Sequence, residues 1–146
     1  MGYVLDLRQK VGQQPLIVVG SAAIVRQQQQ LLLVERRDNH LWGLPAGSKE
    51  LNEETTVTAE RELHEETGLQ GTVQKLLAVV SGQNMQYTYP NGDQIDSVTV
   101  VYEVSATGNL AATTDETSNA NFFDLNKLPD QLTPLTKKIL ITLKLI

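Results

Sequence analysis

The chain of 146 residues has no cysteine and only two histidines. Disulfides and thiolate metal sites are therefore excluded, and any bound metal must take mainly oxygen ligands, which favours a hard cation such as Mg2+ or Mn2+. Long apolar runs are also missing. No stretch approaches the ~18 residues that would span a bilayer, and the N-terminus MGYVLDLRQKVG lacks the apolar core of a signal peptide. The expectation is a cytoplasmic protein with no membrane partner. Basic residues are outnumbered, 12 against 17 acidic, for a formal charge of −5. That balance argues against a nucleic acid polymer or an anionic membrane as partner. It leaves room for a small phosphorylated ligand, because a local cluster of cations bridged by metal binds phosphate on an acidic protein. With 40% hydrophobic content, the length predicts one globular domain, residues 1–146.

Val4, Leu7 and Val11 recur at helical spacing and predict a short N-terminal helix stopping near Gly12. The runs Leu16 to Val25 and Leu31 to Arg37 read as strands, with Arg26 to Gln30 as a solvated hairpin loop between them. Neighbours on a strand point to opposite faces, so one of Arg36 and Arg37 is expected on the side of the downstream carboxylates, where phosphate contact is a candidate role. Asp38 to Gly47 has loop chemistry, with Trp42 read as a packing residue and His40 as solvated. Further strands are expected at Thr72–Val80 and Ser97–Val104, with a hairpin turn between them. Asp115 and Glu116 read as solvated loop charges, and Phe122 and Phe123 as anchors. Pro134 opens a C-terminal helix with an apolar stripe of Leu135, Ile139, Leu140 and Leu143. Ile141, Leu145 and Ile146 extend its apolar surface and make a homodimer contact a candidate.

The chemistry concentrates between Gly47 and Leu69. A helix from Thr55 or Thr56 to Thr67, stopped by Gly68, places Glu62, Glu65 and Glu66 within one arc of about 100°. Like charges so placed repel unless something neutralises them. Only Arg61 and His64 are basic within that helix, so a solvated, internally paired face is a poor account and a bound cation a better one. Ala59 and Leu63, packed on a sheet, would hold the carboxylates at the rim of a cleft.

Gly47, Glu53, Arg61, Glu62, Leu63, Glu65, Glu66, Gly68 and Leu69 occupy every defined position of G-x5-E-x7-R-E-U-x-E-E-x-G-U, where U is aliphatic. The segment thus resembles the Nudix box. The resemblance implies an α/β fold, the α/β/α sandwich of that family, with a mixed sheet between the box helix and the C-terminal helix. It also implies hydrolysis of a nucleoside diphosphate linked to another moiety, using Mg2+ or Mn2+. By position, Glu65 and Glu66 would be the core metal ligands, with Glu62 a further ligand or the residue that orients and deprotonates water. The carbonyl of Ala46 would be another ligand, although many relatives carry glycine there. Arg61 and Glu53 would form a structural pair that holds the glutamates, and Gly47 would supply a tight turn. A further acid from outside the box is common in such proteins, and Asp93, Asp96 and Glu103 are the candidates. Tyr87 and Tyr89, alternating on one strand face, are candidates for stacking on a base. A nucleotide-sensing module without turnover is the rival reading, which three retained carboxylates disfavour. Diphosphate isomerisation would want a cysteine.

Overall fold

A computed structural model describes residues 2–146. In chain order they form α1 (Tyr3–Val11), β1 (Leu16–Ile24), β2 (Arg26–Gln27), β3 (Gln30–Arg36), β4 (Trp42–Gly43), β5 (Ala46–Ser48) and α2 (Thr55–Thr67). There follow β6 (Gln70–Val80), a 3-10 turn at Gln83–Met85, β7 (Gln86–Thr88), β8 (Gln94–Thr107), β9 (Thr117–Asp124) and α3 (Pro134–Thr142). None of the described helices is long and apolar enough to cross a membrane.

The first sheet runs β5-β1-β8-β6, with β7 added along β8. It is mixed: β1 lies parallel to β8 from Leu16↔Ile95 to Ile24↔Glu103, while its other pairings are antiparallel. Since β1 and β8 are parallel neighbours reached by a long crossover, both are covered on two faces. The alternation of side chains makes this visible. Ala22 and Ile24 join a core cluster with Ile139 and Leu140 of α3, whereas Ala23 and Val25 join a second cluster with Ala59 and Leu63 of α2. The same division splits β3, with Leu31 and Leu33 on the α3 side and Leu32 on the α2 side. The result is the expected α/β/α sandwich. The strand expected at 31–37 pairs with β2, β4 and β9 in a second, antiparallel sheet of four strands.

Two helix ends follow from local chemistry. Gly68 takes φ 80°, the left-handed conformation open to a residue without Cβ, and returns its N–H to the His64 carbonyl, so α2 stops there. Thr133 caps α3 by accepting from the Thr136 amide, and Pro134 follows in the first turn, where its missing N–H costs nothing. Trp42 packs edge-on against Phe123 at 4.8 Å, both lying half-buried against the α3-side core. His40 is an exposed loop residue.

Candidate active site

Two carboxylates of α2 are buried. Glu62 and Glu66, one turn apart, face β5 with residue exposures of 7% and 6%. What lets Glu62 in is the absence of a side chain at Gly47, where an added Cβ would fall on the Glu62 carboxylate. Gly47 therefore provides close approach; the expected tight turn is not there, because the residue lies in β5 paired with Ser21. Ala46 also meets the site, its amide N–H lying 3.4 Å from both carboxylate oxygens of Glu66.

Arg61 ties the group together. Its Nε donates to Glu53 at 2.7 Å, and Nη2 donates to Glu53 and to the Ser48 carbonyl, each at 3.0 Å. Nη1 reaches Glu62 at 2.9 Å and Glu65 at 3.2 Å. The glutamate arc thus has a basic partner after all: the i,i+4 geometry brings Arg61 to Glu65, and the tilt of its side chain brings it to Glu62. Glu66 has none. The Arg61 hydrogen bond holds the Glu53 carboxyl down at about 2, and the same pairing raises Arg61. Burial dominates at the other two groups. It pushes Glu62 up to about 6 against the pull of Arg61, and raises Glu66, where the adjacent Glu62 adds to the effect.

A third carboxylate arrives from outside the helix. Oxygens of Glu62, Glu66 and Glu116 lie within 4.8 Å of one another. Glu116, read from the sequence as a solvated loop charge, is exposed at residue level yet delivered to the site by β9, whose Thr117 pairs with Arg36 of β3. No local pattern marks it. Only the pairing of strands some eighty residues apart places it there. Hard oxygen donors gathered in one spot are the chemistry a divalent cation fits.

These residues line a cleft of about 990 Å3 that also takes in Glu65, Arg36, Arg37, Tyr87, Tyr89 and Asp93. Both arginines reach it, against the expectation of one, because β3 ends at Arg36 after a bulge at Glu35/Arg36 and strand alternation no longer governs Arg37. Arg36 is engaged with Asp38 at 2.7 Å and lies over the Tyr89 ring, 5.4 Å from its centre. Arg37 donates to the Thr114 carbonyl at 2.8 Å. Tyr87 lies on β7 and Tyr89 just past its end, so the expected shared strand face is not formed, yet the two rings meet edge-on at 5.0 Å, with the Tyr87 hydroxyl accepting from Asn39. Asp93 sits at the far rim near Arg8. Asp96 and Glu103 are outside the cleft: Asp96 pairs with Ile17 and Gln86 in the sheet, and Glu103 with Ile24 and Lys75.

A sandwich of this kind, with a carboxylate-bearing helix laid beside a glycine-containing strand, defines the Nudix class of fold. The NUDIX domain family model matches residues 16–143, and the chain belongs to that family. It is 34% identical over 99 residues to an ADP-ribose pyrophosphatase of Methanocaldococcus jannaschii; the match covers 66% of this chain and 55% of that relative, so the chain spans about half of its length. Among solved structures it resembles a MutT NUDIX hydrolase of Burkholderia pseudomallei, with a TM-score of 0.71, 28% identity, and coverage of 91% of this chain and 98% of that one. An ADP-ribose pyrophosphatase of Streptococcus suis shares the fold with a TM-score of 0.71 at 23% identity, over 87% of this chain and 90% of its own.

Proposed function

We propose that residues 1–146 form one Nudix domain that hydrolyses a phosphoanhydride bond in a nucleoside diphosphate linked to another moiety, with ADP-ribose the first substrate to consider. The observation that carries this reading is the meeting of Glu62, Glu66 and Glu116 in the cleft. Glu62 and Glu66 would hold Mg2+ or Mn2+, with Glu65 and the Ala46 carbonyl beside them and Glu116 closing the set. When bound, the ion neutralises phosphate charge and makes a nearby water more acidic. Glu116, the most exposed of the three clustered carboxylates, would turn one oxygen to the ion and with the other take the proton of the attacking water. Arg61 keeps Glu62 and Glu65 oriented while Glu53 holds Arg61, a chain of support without substrate contact. Tyr87, Tyr89 and Arg36 line the same cleft, and a base or sugar would lie against them. ADP-ribose follows from the likeness to the ADP-ribose pyrophosphatase of Methanocaldococcus jannaschii, of which this chain spans about half, so other diphosphates stand beside it as candidates.

The test is a screen of nucleoside triphosphates, nucleotide sugars, dinucleoside polyphosphates and ADP-ribose with added Mg2+ or Mn2+. Cation-dependent release of a nucleoside phosphate from one class supports the reading. Tight nucleotide binding with no turnover in any class would favour the sensing module instead.

A further inference from the structure

We infer that Arg37 is a positioning residue, a clasp that holds the loop before β9 so that Glu116 stays with Glu62 and Glu66; this rests on the functional reading above. Arginine lining a cleft offered to a phosphorylated ligand invites the assumption of a phosphate contact, and the hydrogen bonds argue for a different role. The Arg37 backbone N–H donates to the Glu116 carbonyl at 3.2 Å, and its Nε donates to the Thr114 carbonyl at 2.8 Å. One residue thereby grips the loop on either side of Asp115. The other end of the loop is tied to α2, since the buried Thr117 hydroxyl donates to the Glu66 carbonyl at 2.9 Å and lies 2.8 Å from the Thr114 hydroxyl. Both ties end next to a carboxylate of the cluster. Without the Arg37 side chain the loop loses its tie at Thr114 and keeps the Arg37 backbone bond to Glu116 and the Thr117 anchor, so the turn that carries Glu116 is held less firmly.

Arg37 is itself exposed, so its removal takes nothing from the core. The experiment is a double-mutant cycle on the full chain with Arg37→Ala and Glu116→Gln, read by Mn2+ binding without substrate, by steady-state kinetics and by amide hydrogen exchange of residues 113–117. A residue that orients a ligand typically changes metal affinity or activity by about 10- to 100-fold. Arg37→Ala is expected to weaken Mn2+ binding and lower kcat by that order, to speed exchange in the loop, and to move KM by less than about threefold. In the Glu116→Gln background the same substitution should cost less than about twofold, because the group it positions is gone. An Arg37→Ala variant with raised KM and unchanged kcat would make Arg37 a phosphate contact and overturn the clasp. So would an equal loss in both backgrounds. A wild-type chain with neither Mn2+ binding nor Mn2+-dependent hydrolysis would overturn the functional reading and the clasp together, which distinguishes that failure from the other two.

Discussion

The Glu62 carboxylate occupies the space that a side chain at Gly47 would fill, with Oε2 2.6 Å from an ideal Cβ position. Gly47 does not have a positive φ, so alanine is acceptable to the backbone and the substitution isolates the collision. Arg61 pins the carboxylate from the other side at 2.9 Å. Gly47→Ala should therefore move Glu62 off its position, and a displacement of about 1 Å at a reacting group costs on the order of 100-fold in turnover. Thermal unfolding should change by only a few degrees, roughly 1 kcal/mol. Wild-type turnover in this variant would show that Glu62 need not be where it is.

Arg61→Lys keeps the charge and loses the geometry. Lysine cannot span Glu53, the Ser48 carbonyl, Glu62 and Glu65 at once, whereas the guanidinium fork does so with Nε, Nη1 and Nη2. Glu53 is left largely buried with its main partner weakened. The expected loss is about 2–4 kcal/mol in urea unfolding, together with reduced turnover. Glu53→Gln, which retains an acceptor for Arg61, should cost less. Equal stability of Arg61→Lys and wild type would mean that the network is only electrostatic.

Position in the cleft should separate the acidic residues. Asp96→Asn and Glu103→Gln alter groups committed to the sheet outside the cleft, and turnover within about twofold of wild type is expected from such surface changes. Glu116→Gln should lose at least about tenfold, as a group that moves a proton does. If Glu103→Gln cost more than Glu116→Gln, the extra acid would have been assigned to the wrong element.

What was legible from the residues was whatever is decided locally. Gly68 announces the end of α2, the i, i+3, i+4 spacing announces the shared face of Glu62, Glu65 and Glu66, and Pro134 announces α3. The Arg61–Glu65 pair stands at i,i+4 and is visible in the residues, whereas from the sequence Arg61 is assigned to Glu53 and the arc is left without a basic partner. Glu116 was not legible. Its place depends on the register Arg36↔Thr117 between strands distant in the chain, and register has no local signature. The same holds for Gly47, where a glycine needed for close approach looks in sequence like a glycine needed for a turn.

The pH dependence of stability should reverse on adding a divalent cation. Without it, the folded-state value of Glu62 is about 6 against the usual 4.5, and Glu66 is raised in the same direction. A raised carboxyl contributes stability fully below 4.5 and loses that contribution as pH rises through the folded value, so the metal-free protein should lose on the order of 1–2 kcal/mol across pH 4.5 to 7. Glu53 works oppositely: lowered to about 2, it contributes fully above 4.5 and loses that contribution as pH falls from there through 2, below this window. Bound Mn2+ needs the ionised forms and competes with the proton for them. The Mn2+-induced rise in melting temperature should therefore grow from pH 5 to 8, reaching several degrees when the ion is in large excess, roughly 3 kcal/mol by mass action. Glu66→Gln should flatten both slopes, raising metal-free stability near pH 7 by removing a buried charge and abolishing most of the Mn2+ increment. An increment that is constant across this range, or that survives in Glu66→Gln, would mean that the ion binds somewhere other than between these carboxylates.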